Sequence, residues 1–216
     1  EIELVCRWSR TRSPRTAALF VIHEFGYPAP LAAELEALPV PLIVDAAYGL
    51  GIPSEALLCQ RADFLIYSLS KSFPCPAGGV LVSKQHRAMA QVLDESDELA
   101  LRFLLKERFL PKTPAWLEKR REHYQLYKSA FERQGYGALQ LCSSADFAPH
   151  AFLVAIEDER IGAAIRPLLN EQGIESSCYF GGGGYFLPCH QSLDLAVISH
   201  VVEAFVSAHR SVVDPV

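Results

Sequence analysis

Between Ala17 and Ser83 short apolar runs alternate with amphipathic stretches. Four of the runs have strand length and a β-branched or aromatic content: ALFVIH (Ala18 to His23), PLIVDA (Pro41 to Ala46), FLIYSL (Phe64 to Leu69) and GVLVS (Gly79 to Ser83). Between them, LAAELEAL after the Gly26 and Pro28 turn reads as a short helix, and so does SEALLCQ with Ser54 as its N-cap. Strands alternating with helices predict a mostly parallel sheet with crossover helices. Runs that are apolar on both faces fit a sheet covered on both sides, which gathers functional groups beyond the carboxyl ends of its strands. Asp45 and Ser68 fall near such ends.

Beyond Ser83 the pattern lengthens into helical stretches, KQHRAMAQVLDES and then the heavily charged AWLEKRREHYQLYKSAFERQG, which reads as a connecting helix. The remainder predicts strands LQLCS and AFLVAIE, helix ERIGAAIRPLLNEQG, a strand around ESSCYF, the glycine run Gly181 to Gly184, and a closing helix LDLAVISHVVEAFVSAH. The expected class is therefore α/β, with a large sheet domain over residues 1–111 and, after the connecting helix, a small α+β domain over 112–216. No internal repeat is present.

Composition narrows the function classes. With 50% hydrophobic and 21% charged residues the chain buries a real core. A formal net charge of -5 and the lack of a Lys/Arg stripe argue against a nucleic-acid partner. No apolar run approaches membrane-spanning length, and the first residues lack the apolar stretch of a secretion signal, so no membrane partner is expected. The six cysteines, Cys6, Cys59, Cys75, Cys142, Cys178 and Cys189, are scattered without a C-x-x-C pair or metal spacing. They read as reduced thiols of a cytoplasmic protein, with no metal site expected.

Three local features then stand in order: DAAYG (Asp45 to Gly49), SLSK (Ser68 to Lys71) and PAGG (Pro76 to Gly79). A lysine following an apolar strand must be solvated, paired or used chemically. Partial burial frees its lone pair to attack a carbonyl, which makes Lys71 a candidate Schiff-base lysine for pyridoxal phosphate; a solvated strand-end lysine is the bland alternative. The pyridine nitrogen of that cofactor needs an anion beside it, and Asp45 ends the neighbouring strand, where a turn aspartate is equally common. Ser68 can turn a hydroxyl to the phosphate, with Ser70 as a second candidate, or either is a turn serine. Tyr48 can donate to the phenolic oxygen of the ring. Gly78 and Gly79 let the backbone pass beneath a cofactor or simply make a tight turn. His23, at a strand end, can contact cofactor or substrate, although a hydrogen-bonded structural histidine fits as well. The order of Asp45, Ser68 and Lys71 tips the balance toward the cofactor.

Together these segments resemble pyridoxal-phosphate-dependent fold-type I enzymes, and most of all the DegT/StrS-type sugar aminotransferases. VIHEFGYP, LPVPLIVDAAYGLG and YSLSKSFPCPAGGVLVS resemble the family's His-Gly-Pro strand, its Asp-x-Ala motif and its Schiff-base segment. GIESSCYF and LPCHQSLDLAVISHVVEAF resemble its ending, so the likeness runs from about Thr16 to His209. The resemblance makes Lys71 the Schiff-base lysine, Asp45 the partner of the pyridinium nitrogen, Ala47 a residue packed on the ring and Ser68 a phosphate ligand. It also implies an amino donor and a keto acceptor, often a nucleotide-linked sugar, and a homodimer. His190 is given a structural role near the small-domain core.

Two departures stand out. Tyr48 occupies a position where the family usually has Gln, and it resembles the Asp-x-Ala-Tyr of other aminotransferases. Family members also begin with a long segment bearing the phosphate-binding loop, so the expectation is of an N-terminally truncated chain. Class I/II aminotransferases usually have an arginine eight residues after the lysine, where Gly79 stands, and cysteine-desulfurase-like enzymes a His before it, where Ser70 stands; both stay as alternatives within the same fold. A fold retained for binding or dimerisation without catalysis is the alternative from another class.

Overall fold

The computed structural model describes residues 9–29, 37, 39–52, 58, 60–75, 78–84, 95–142 and 147–214. The helices expected in LAAELEAL, SEALLCQ and KQHRAMAQVLDES lie almost wholly outside the described residues.

The four apolar runs at the front of the chain form one sheet in the order β1 (Leu19–Ile22), β2 (Leu42–Asp45), β3 (Phe64–Ser68) and β4 (Gly79–Ser83). The first three are parallel, with Ile22 opposite Asp45 and Asp45 opposite Ile66. The last is antiparallel to β3, pairing Ser68 with Gly79. A ten-residue connection, in which the one-turn helix α1 (Leu69–Ser72) lies, is too short for a parallel crossover, so the chain folds straight back. Gly78 makes that return possible. Its φ is +114°, and a Cβ there would lie 3.1 Å from Leu101 and 3.2 Å from Leu69.

Strand alternation sorts the sheet into two faces. Leu42, Val44 and Leu65 are closed into a core with Ala46, Ile52 and Ala62. The opposite face carries Phe20, Ile22, Ile66 and Leu81, which keep between 38% and 44% of their surface. Asp45 and Ser68 share this open face by register.

A helix α2 (Glu95–Phe103) and a π-helical segment, Leu104–Phe109, lead into the long α3 (Thr113–Arg133). The second sheet is antiparallel in the order β5 (Ala151–Ala155), β7 (Gly184–Pro188), β6 (Ser177–Tyr179), backed by α4 (Glu159–Asn170) and α5 (Leu195–Val213). The sequence reading missed β7, its central strand. Among the described residues the strand expected at LQLCS is instead an isolated bridge between Ala138 and Val154, with Leu139 N–H bonded to Leu153 and Ala155 N–H to Gly137 on the edge of β5.

This second core is large and aromatic, with Phe131 stacked on Phe152 at 5.4 Å and edge-on to Phe205. Two smaller clusters join the halves. Tyr27 packs on Phe147 and Leu153, and Leu69 and Phe73 pack on Phe109, with Trp116 against them.

Gly162 offers a test of packing against propensity. Helix preference favours alanine there by about 1 kcal/mol. A Cβ, however, would sit 2.2 Å from Cys178 Sγ and 2.9 Å from Ile156. Gly162→Ala is therefore expected to lower stability by about 1–2 kcal/mol in urea unfolding. Adding Cys178→Ala, which removes the blocking sulfur, should recover most of the loss.

Candidate active site

Parallel strands end on the same side, and that is how the candidate residues come together. Asp45 closes β2, half-buried, with Oδ1 accepting the Ala47 N–H at 2.8 Å and its main-chain oxygen accepting the His23 N–H at 3.0 Å. The chain then turns through Ala47 and Tyr48, with Gly49 N–H bonded back to Ala46 O. One strand over, β3 ends at Ser68, whose Oγ lies 3.3 Å from Ser70 Oγ, and α1 carries Lys71 in its single turn. Lys71 is exposed, and its Nζ stands 5.4 Å from the centre of the Tyr48 ring, a cation–π contact.

The structure thus assembles Asp45, Ala47, Tyr48, Ser68, Ser70 and Lys71 at one sheet edge. His23 sits differently. It is 1% exposed, with Nδ1 accepting the Ala29 N–H at 3.0 Å, so its ring braces the turn after β1 and presents almost no surface to a ligand. The sequence reading overlooked Glu24, the next residue. Burial and then the charge of Asp45 hold its carboxyl above the usual range, which marks a second acid beside Asp45.

Next to Lys71 a cavity of about 430 Å³ opens between the two halves of the chain, walled by Ser70, Phe73, Trp116, His190 and Gln191. His190 is exposed, with its main-chain oxygen bonded to the His123 ring at 2.8 Å and its Nδ1 accepting from Ser192 N–H. It therefore faces this cavity rather than the small-domain core.

Behind the cavity wall lies Arg120 of α3, 1% exposed. Its Nε donates to Gln191 Oε1 at 2.7 Å and its Nη1 donates to His150 Nε2. Among the described residues no carboxylate is within ion-pair reach of it, and burial draws its pKa down from 12.5 to about 10. His150 is held well below its ordinary 6.5, first by burial, then by the charges of Arg120 and His190. Its ring meets Tyr48 edge-on at 5.0 Å. Arg120, His150 and Gln191 were not singled out from sequence.

The donor set at the sheet edge suits pyridoxal phosphate. An exposed amine can take the aldehyde, a half-buried carboxylate on the adjacent strand can face the pyridine nitrogen, and paired hydroxyls can meet a phosphate.

No family model matches the sequence, and no curated protein matches it. Solved structures do. Over 93% of this chain and 68% of the other, it superimposes with a TM-score of 0.68 and 15% identity on PseC of Helicobacter pylori, an aminotransferase of pseudoaminic acid biosynthesis. A DegT DnrJ EryC1 StrS aminotransferase from Brucella abortus gives a TM-score of 0.62 at 17% identity, over 88% of this chain and 64% of that one. A candidate sugar aminotransferase from Streptococcus pneumoniae in its PLP form gives 0.65 at 15% identity, over 91% and 69%. The chain thus has the fold of these aminotransferases and spans about two thirds of their length. No helix among the described residues is long and apolar enough to cross a membrane.

The depressed histidines set a pH window for stability. Unfolded, His150 takes up a proton near 6.5, while folded it resists doing so, so the unfolded state binds more protons below that pH. This contribution is complete above about 6.5 and is lost as pH falls toward the folded pKa. His190 and His209 are shifted the same way and add to it. Urea unfolding should therefore be nearly pH-independent just above neutrality and weaken from about pH 6.5 downward. His150→Asn should flatten that slope.

Proposed function

We propose that this chain works as a pyridoxal-phosphate-dependent aminotransferase, moving an amino group from an amino-acid donor to a keto acceptor such as a nucleotide-linked keto sugar. The observation that carries the reading is the pairing of Lys71 and Asp45 at adjacent strand ends in a fold shared with sugar aminotransferases. On this reading residues 1–111 bind the cofactor, residues 112–216 form the smaller domain, and the protein acts as a cytoplasmic homodimer.

Each residue has a chemical task. The Lys71 amine would hold the cofactor aldehyde, and the same amine, when free, would be the base for the proton on the donor's α-carbon. Asp45, its position fixed by the Ala47 N–H, would keep the proton on the pyridine nitrogen. Ala47 would pack on the ring, Tyr48 would donate to the phenolic oxygen, and Ser68 with Ser70 would donate to the phosphate. When bound, the cofactor supplies an electron sink for the charge that develops at the α-carbon. The cavity between Phe73, Trp116 and Gln191 is the place for the substrate, and the bracing of His23 keeps the turn beside Asp45 in shape.

Titration with pyridoxal phosphate tests this directly. The full chain should develop a visible absorbance band. Lys71→Ala should show none while unfolding at an unchanged temperature, because Lys71 is exposed. Asp45→Asn should keep the band yet slow the half-reaction with an amino donor by about a hundredfold. A parent protein without the band would favour a non-catalytic binding role instead.

A further inference from the structure

Gln191 lines the cavity beside Lys71 and keeps only 8% of its surface, so the direction of its amide decides what it offers there. The two ends of an amide differ, one accepting and the other donating, whereas a guanidinium only donates. The 2.7 Å bond from Arg120 Nε therefore assigns the Gln191 oxygen to the Arg120 side and turns the NH2 group away from it. Among the described residues no acceptor meets that NH2 group. A donor left over in a cavity wall is open to a ligand.

The rest of the wall suits a negative group on a carbon skeleton. Among the described residues that line the cavity there is no carboxylate, and Lys71 supplies a positive charge. His190 Nδ1 accepts the Ser192 N–H, so the neutral ring keeps its proton on Nε2 and offers a further donor. Phe73 and Trp116, with ring centres 6.2 Å apart, make an apolar flank. Behind Gln191 the Arg120 charge is buried without a carboxylate in ion-pair reach among the described residues. A cation on the oxygen side of an amide polarises it and strengthens the N–H donors at the other end.

We propose that Gln191, oriented by Arg120, receives the carboxylate of the amino donor, its NH2 group donating to a carboxylate oxygen while Phe73 and Trp116 flank the donor's carbon skeleton. That the carboxylate belongs to an amino donor rests on the aminotransferase reading; that the amide binds a carboxylate in this cavity does not. The arrangement lets the Arg120 charge act on the ligand through the amide, without direct contact between guanidinium and carboxylate. It also explains why an amide stands at position 191: a leucine has no donor, and a glutamate accepts from Arg120 but repels the ligand.

The test uses the full chain in two arms. In the first, without cofactor, the probe is benzoate and its uncharged counterpart is benzamide. Affinity is measured by calorimetry, and the assigned NMR signals of the Gln191 NH2 group are followed in the parent. Those signals should shift with benzoate and much less with benzamide. Gln191→Leu should bind benzoate about tenfold more weakly, the size of one hydrogen bond to a charged group. Gln191→Glu separates binding from structure, because its carboxylate still accepts from Arg120 while the donor is gone. It should melt close to the parent and lose benzoate binding. A Glu variant that binds benzoate like the parent would overturn the proposal, as would unmoved Gln191 signals or benzamide binding as tight as benzoate. Where either variant fails to fold, the parent's signals decide. In the second arm, pyridoxal phosphate and L-alanine are added. Gln191→Leu should raise KM for L-alanine about tenfold, with the loss falling on KM more than on kcat. A loss confined to kcat would overturn the assignment to the donor's carboxylate. If the parent forms no absorbance band, the aminotransferase reading fails and the benzoate arm alone decides whether Gln191 is a carboxylate site.

Discussion

The parallel register of β1, β2 and β3 is the constraint from which the rest follows. Because parallel strands finish on one side, Asp45 and the segment after Ser68 emerge next to each other without any side chain having to arrange it. The antiparallel return of β4 then confines α1 to one turn, so Lys71 lies within a few residues of two strand ends. A backbone ladder thus sets the approximate spacing, and side chains refine it.

That refinement comes from the other half of the molecule. His150 precedes β5, Gln191 follows β7, and Arg120 lies on the helix between the halves, yet all three converge on the wall beside Lys71. Tyr27, whose hydroxyl donates to Ala151 O at 3.2 Å, adds a second tie between the β1 turn and β5. The candidate site is therefore a property of both sheets together. The aromatic packing of the second core, centred on Phe131, Phe152 and Phe205, makes the rigid base against which the cavity wall is held.

How much of this was legible in the sequence depended on whether a signal was local. The four strands of the first sheet each carry an unbroken apolar run, and all four were found within a residue or two of their ends. The direction of β4 is not written in the strand's own pattern, since it depends on the ten-residue length of the connection before it. β7 hid behind Gly181 to Gly184 and ended at Pro188, both of which read as breakers although the turn residues Gly181 and Gly183 merely need positive φ. Asp45, Ser68 and Lys71 were legible by chain order. Arg120 was obscured by the charged run around it, but the helix did hold a clue: Trp116, Arg120, His123, Tyr127 and Phe131 recur at helical spacing, so the arginine falls on the stripe that faces inward. A cation on an otherwise apolar stripe is the signal that was passed over.

The cost of that cation explains the choice of its partners. Burying a guanidinium loses several kcal/mol of hydration, and a buried carboxylate would be the usual remedy. Here the donors are spent on two neutral acceptors, Gln191 Oε1 and His150 Nε2, each a charge-assisted bond worth roughly 1.5–3 kcal/mol. A carboxylate in place of Gln191 would draw a proton onto His150 and deprive Nε2 of its role as acceptor. Burial first, and then the Arg120 charge, do the opposite, because they keep His150 neutral and leave Nε2 free to accept. The burial of Arg120 is then less a defect of the core than the means by which the ring packed edge-on against Tyr48, the ring that Lys71 Nζ overlies, is given one tautomer.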